Sequence, residues 1–301
     1  MPVIIIVDHT TNNFMKINIF NSHLFIRGYT TMNDKKLCLT MLGTGNATVT
    51  KCYNTCFALR EDDQCFLVDA GGGNQILRIL EEQDIPLTQI HDLFITHAHS
   101  DHILGVVWII RMIGQLMNRG KYNGNLNIYA NKEVAENLKT ICKIVLVAKV
   151  TNLFDDRILW INLQDGDSHI ILNREISFFD IQSTKLLQYG FNIKQDSFFF
   201  CGDEPLNKIF YPQAMEAKYL LHEAFCLFSE REIFKPYEKH HSTVKDACCM
   251  AQELNVKNLL LTHTEDSHIS ERKKLYSDEG NAFFSGNLLI PDDGESILIE
   301  H

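Results

Sequence analysis

The chain has no C-x-x-C pair among its nine cysteines, no apolar run of membrane-spanning length and no excess of basic charge. The cysteine count is odd, Cys52 and Cys56 lie four apart, and Cys248 adjoins Cys249. That pattern reads as reduced thiols in a cytoplasmic protein rather than a disulfide framework. The first apolar run, residues 3–6, is too short for a secretory signal and lacks a basic lead. A membrane-spanning helix needs about 20 consecutive apolar residues, which the chain nowhere approaches. Lys and Arg number 28 against 38 Asp and Glu, a formal net charge of −10. This argues against broad electrostatic attraction to nucleic acid and leaves room only for a local basic patch. No repeat, low-complexity tract, G-x-G-x-x-G or P-loop pattern is present.

What remains is ordinary for a globular domain: 301 residues, 45% hydrophobic and 22% charged, enough for a sizeable core. Residues 1–35 carry no chemistry and read as a leader of uncertain status, with "MNDKKLCLTMLGTGNA" from Met32 resembling a domain start. From residue 36 to 301 the text becomes regular. Strands are expected at residues 36–42, 54–60, 65–73, 91–97 and 125–131, with helices at 74–83, 103–117 and 133–150. A second group of strands is expected at 175–181, 189–194, 197–203, 219–225, 257–263 and 295–300, with a helix at 242–255 that starts on a Ser/Thr cap. Strands in two groups, each interleaved with helices, predict one α/β domain of two packed sheets with helices outside.

The densest chemistry is "THAHSDHILG", residues 96–105, directly behind the apolar run "DLFI". Unpaired polar groups at the end of a buried strand cost about 1–3 kcal/mol each, so something must satisfy them. If the strand continues locally, His97, His99 and Asp101 face one way and His102 the other. Neutral imidazole and carboxylate suit zinc, iron or manganese, and four such ligands in six residues can serve two neighbouring ions.

This H-x-H-x-D-H motif resembles that of the metallo-β-lactamase superfamily and, within it, the ribonuclease Z-like branch. The resemblance runs from residue 36 onward through "LGTGNA", "FLVDAGGG", "THAHSDHILG", "CGDEP", "LLHEAF", "HHST" and "LLLTH". It implies an αββα sandwich with a metal site at one edge. It implies His97 and His99 on a first ion, Asp101, His102 and His263 on a second, and Asp203 bridging both. It implies two divalent ions, zinc first, with manganese or iron as alternatives. Asp101 then orients the attacking water and accepts its proton, and His241 of "HHST" protonates the leaving oxygen. His222 and Glu223 become the groups that orient His241, and Asp69 anchors the floor of the site by hydrogen bonds.

Two departures bear on function. The third histidine that the resemblance leads one to expect for the first ion is absent, and Gln182 holds the best candidate position, which weakens that site. Only twenty residues separate Gln182 from Asp203, too few for the arm with which ribonuclease Z grips transfer RNA. The expected protein is therefore a metal-dependent hydrolase, a phosphodiesterase acting on a small phosphodiester or nucleotide-type substrate. Transfer-RNA 3′ processing is less favoured, no membrane partner is expected, and a homodimer is an option. The alternatives are a thioester, lactone or sulfate ester hydrolase on the same site, and a catalytically impaired metal-binding protein.

Overall fold

The computed structural model describes residues 36–300 in full and, N-terminal to them, the backbones of strands β1 (Ile4–Asp8), β2 (Asn13–Phe20) and β3 (His23–Arg27). These pair antiparallel as a sheet of their own within a separate unit, residues 1–36. The expected leader, residues 1–35, otherwise lies outside the described residues.

The second unit begins at Leu37. Its first sheet contains β4 (Leu37–Gly43), β5 (Cys56–Glu61), β6 (Gln64–Val68), β7 (Ile90–Phe94), β8 (Leu126–Ala130) and β9 (Ile158–Asn162). The second sheet runs in sequence order through β10 (Ser168–Ile171), β11 (Arg174–Asp180), β12 (Tyr189–Ile193), β13 (Phe198–Phe200), β14 (Tyr219–Glu223), β15 (Asn258–Thr262) and β16 (Asn287–Leu289). The last strand, β17 (Ser296–Ile299), returns to pair antiparallel with β4.

Side-chain alternation sorts the core into layers. Phe57 and Leu59 of β5, Phe66 and Val68 of β6 and Phe94 of β7 point inward and meet Phe178, Phe191, Phe198 and Phe200 of the other sheet. Their neighbours Ala58, Leu67 and Leu93 point outward against helices 75–82 and 100–118. On the far side Leu220, Leu259 and Leu261 pack under helices 244–253 and 272–280. Strands buried on both faces read as unbroken apolar runs, which is why "DLFI" and "NLLLT" give no period-two signal. The architecture is the expected αββα sandwich. Among the described residues no helix is long and apolar enough to cross a membrane.

Local expectations needed correction. The strand at 91–97 ends at Phe94, and the metal motif crosses a loop into a helix. The helix expected over 133–150 breaks at Leu146 and Val147, which are extended between helices 132–145 and 148–151. β-Branched residues crowd this junction and lose side-chain freedom in a helix. Strands β9, β10 and β16 and helix 272–280 were not anticipated.

In the first sheet β6, β7 and β8 are parallel; in the second, β13, β14, β15 and β16 are parallel. The C-terminal ends of both groups open on the same edge, where Thr96 O accepts from Tyr189 N at 3.1 Å across the two sheets. At the opposite end of β5, the two sheets are joined by charge. Arg174 on β11 places Nη1 2.6 Å from Glu61 Oε1 and Nε 2.6 Å from Asp196 Oδ2, and all three residues are buried. Truncating one member of a buried charge cluster typically costs about 3–5 kcal/mol. Arg174→Met should lower unfolding free energy by that order in denaturant titration while leaving the site at the other end assembled. A loss below about 1 kcal/mol would show that the cluster is dispensable.

Candidate metal centre and active site

The site is built on Asp69, which follows β6 and is held at φ 55°, in the left-handed region. Its carboxylate accepts from Thr96 N at 2.9 Å, from Thr96 Oγ1 at 2.8 Å and from His102 Nδ1 at 2.8 Å. Thr96 Oγ1 in turn accepts from His97 Nδ1 at 2.9 Å. Both imidazoles therefore carry their proton on Nδ1 and turn Nε2 into the site, the tautomer a metal ligand needs.

The motif residues come from a loop and one helical turn. His97 follows β7, His99 is the extended residue that starts helix 100–118, and Asp101 and His102 lie in its first turn. That turn sits against the glycine loop: Gly105 N donates to Gly71 O at 2.8 Å, and Ala70 N donates to His102 O at 3.2 Å. A Cβ on Gly105 would lie 1.8 Å from Ala70 O, so only glycine permits the approach.

Six residues converge. His97 Nε2 is 2.7 Å from His99 Nδ1 and 3.4 Å from Asp203 Oδ2. His102 Nε2 is 3.3 Å from Asp101 Oδ2 and 3.5 Å from Asp203 Oδ2. His263 Nε2 is 3.7 Å from the same Asp203 oxygen, and its Nδ1 is 3.3 Å from Thr55 Oγ1. Two overlapping donor groups result, His97 with His102 and Asp203, and Asp101 with His102 and His263.

The electrostatics suit a cation. Burial lowers His97 to about 3 and His263 to about 4, so both rings stay neutral and can donate lone pairs. Burial opposes ionisation of Asp203 and Asp101, yet both carboxyls are held well below their usual range, with the hydrogen bond and charge of His102 acting on each. His102 is pushed down by burial and more strongly up by Asp69 and Asp101. Its buried Nε2 has no hydrogen-bond partner. Crowded carboxylates, lone pairs aimed inward and one orphaned nitrogen form a donor set that fits a divalent cation.

The groups expected around His241 are arranged differently from the expectation. Glu223, at the end of β14, is fully buried; Oε1 accepts from Ser242 N, and Oε2 is 3.5 Å from His241 Nδ1. Burial alone would lower His241, but Glu223 outweighs it and raises its pKa. The ring stacks on Phe225 at 5.0 Å and lies 5.1 Å from His263. His222 does not reach His241. It donates from Nδ1 to Glu223 O and accepts from Leu206 N at 3.1 Å, so it holds the loop after Asp203. His240 is exposed in a left-handed conformation.

Gln182 also requires correction. It is exposed, and its amide folds back onto Asp180. The buried amide in the site is Gln188, whose Nε2 donates to Asp203 Oδ1. His169 packs against Tyr129 and Phe178 instead of joining the cluster. The pocket over the ligands has a volume of about 220 Å³ and is also lined by Ser183, Lys185 and Glu204, which the sequence had not marked. Glu204 accepts from Ser183 Oγ at 2.7 Å and fastens that loop. Between Gln182 and Asp203 the chain forms only the β12–β13 hairpin and its approach, with no inserted arm.

Comparison with known proteins agrees with this picture. The sequence model described as "Anti-Pycsar protein Apyc1" matches residues 37–284. The chain is 36% identical to ribonuclease Z of Methanococcus aeolicus over 110 residues, a match spanning 35% of this chain and 31% of that protein. It is 25% identical to ribonuclease Z of Methanococcus maripaludis strain C5 over 275 residues, spanning 75% of this chain and 85% of that one. The fold matches the metallo-β-lactamase fold protein YhfI from Bacillus subtilis with a TM-score of 0.70 at 19% identity, covering 87% of this chain and 99% of that one. It also matches Zn(2+)-bound PqqB from Methylobacterium extorquens with a TM-score of 0.64 at 11% identity, covering 86% and 99%. The chain thus has the metallo-β-lactamase fold and is similar in sequence to ribonucleases Z.

If Glu223 is what raises His241, Glu223→Gln should lower the His241 pKa, followed by histidine ring NMR in the folded protein. The protonated fraction near neutral pH then falls, because the folded pKa moves downward. An unchanged titration would assign the effect to other groups.

Proposed function

This chain belongs to the Anti-Pycsar protein Apyc1 family, and we propose that it is a metal-dependent phosphodiesterase that cleaves a small, nucleotide-sized phosphodiester. The observation that carries the reading is His241, held by Glu223 and facing the same small pocket as His97, His99, Asp101, Asp203 and His263. Divalent ions held by His97, His99, Asp101, His102, Asp203 and His263 would supply Lewis acidity and water of lowered pKa at that spot. The chain's own groups do the rest. Asp101 stays ionised and is placed to orient the attacking water and take its proton. His241, its pKa raised by Glu223, gives a proton to the leaving oxygen. Lys185 is the one Lys or Arg among the described lining residues; its Nζ donates to Lys239 O at 2.6 Å, and from there its charge can turn to a phosphate oxygen.

Substrate size follows from the space. A pocket of about 220 Å³ has room for a phosphoryl group and part of what it carries, which suits a small diester. A phosphodiester whose two ester oxygens belong to one sugar meets that limit, whereas an oligonucleotide must lead two chains over the rim. Transfer-RNA processing is disfavoured for the further reasons of the absent arm and the net charge of −10. An impaired metal-binding protein is the second reading, favoured by the missing third imidazole: Gln182 turns away onto Asp180, and the buried Gln188 presents an amide donor to Asp203.

His99→Ala and His263→Ala should each reduce hydrolysis of bis(p-nitrophenyl) phosphate and of a cyclic mononucleotide to background, with the circular dichroism spectrum unchanged. Turnover near that of the natural chain in either variant would exclude the site. Lys185→Met should retain metal and lower kcat/KM about ten- to a hundredfold, the range expected for losing a charged hydrogen bond of about 1.5–3 kcal/mol. Equal kcat/KM on both substrates would remove Lys185 from substrate binding.

A further inference from the structure

Asp203 is the residue both ions would share, and its two oxygens have unequal surroundings. Oδ2 faces His97, His102 and His263 at 3.4, 3.5 and 3.7 Å. Oδ1 receives the amide of Gln188. The NH₂ group must be the end that faces it, because an amide oxygen placed against a carboxylate would be repelled.

Gln188 is fixed in this role. Its side chain is buried, its carbonyl accepts from Ile181 N at 3.0 Å, and the next residue, Tyr189, donates to Thr96 O. The preceding carbonyl, that of Leu187, accepts from Asn131 Nδ2 at 3.2 Å. Gly202 lies beside the amide at φ +81°, and a Cβ there would come within 2.7 Å of Gln188 Nε2. The neighbour has thus been kept small where the amide passes.

We infer that Gln188 is a positioning residue that withdraws Asp203 Oδ1 from metal binding and so makes the two metal sites unequal. This rests on the metal reading above. With Oδ1 occupied, Asp203 would have only Oδ2 left to offer a metal. The first ion would then be held by His97, His99 and that one oxygen. The second would have Asp101, His102 and His263 besides it. Gln188 presents its donor end, so it adds no ligand to the shorter set. The second site fills first, and the first fills at higher metal concentration.

The test is calorimetric titration of zinc, and separately manganese, into the metal-stripped chain, with bound metal counted by elemental analysis. The natural chain should bind two ions with dissociation constants at least about tenfold apart, the scale on which removing one supporting partner changes metal affinity. Gln188→Met keeps the length and removes the donor, which frees Oδ1 for the first ion. It should narrow the ratio of the two constants about tenfold, with the tight constant little changed. Two equally tight ions in the natural chain would overturn the inference while leaving the metal reading intact. So would a Gln188→Met ratio that does not move, or equal weakening of both sites, which would mark Gln188 as merely structural. No bound metal at all would overturn the metal reading and the inference with it. The natural-chain titration decides even if the variant does not fold.

Discussion

Everything at the site hangs on the carboxylate of Asp69. It binds no metal in the arrangement proposed, yet it fixes the ring orientation of two residues that do, His102 directly and His97 through Thr96. A buried carboxylate with three donors is well satisfied, and each hydrogen bond to a charged group contributes about 1.5–3 kcal/mol. The same three donors come from the end of β7 and the first turn of helix 100–118, so one side chain aligns strand, loop and helix. The left-handed backbone at Asp69 lets the chain leave β6 and turn beneath that helix. The close approach of Gly105 then brings His102 within reach.

Much of this was legible in the sequence because the ligand residues sit where strands stop. An apolar run followed at once by histidine or aspartate marks "DLFITHAH", "FFFCGD" and "LLLTH" alike, and in each the polar residue emerges at the same sheet edge. The αββα layering was legible for a related reason, since two groups of buried strands with interleaved helices leave few other ways to cover both faces.

What could not be read was direction and local geometry. Within "DIQSTKLLQYGF" two glutamines compete for one role, and chain position favoured Gln182. Gln182 is turned outward by its left-handed backbone, while Gln188 opens a buried stretch that continues through Tyr189, Gly190 and Phe191. A polar residue in such a register is the signal that could have identified it. His222 and Glu223 are neighbours on one strand, so their side chains point to opposite faces, and only one can reach His241. Glu223 reaches it. Alternation alone would have excluded one of the pair, though not said which. The reading of His97, His99 and Asp101 as one strand face failed because the helix starts at Ser100, ahead of the residue where an apolar pattern would begin it.

The charge cluster of Arg174, Glu61 and Asp196 has a counterpart in the site itself. The two sheets of the sandwich touch through apolar side chains over most of their area, a contact that resists separation but only weakly resists sliding. Ionic contacts at the two ends supply what oil cannot, a register. One fastening is made of groups the chain always carries. The other consists of imidazoles and carboxylates drawn from both sheets, which a cation would draw together and its loss would let part. The sandwich is then like a book bound on one margin, whose opposite margin is held shut by whatever ion the surroundings provide. Metal supply would set how firmly the two pages are registered at the edge where a substrate enters.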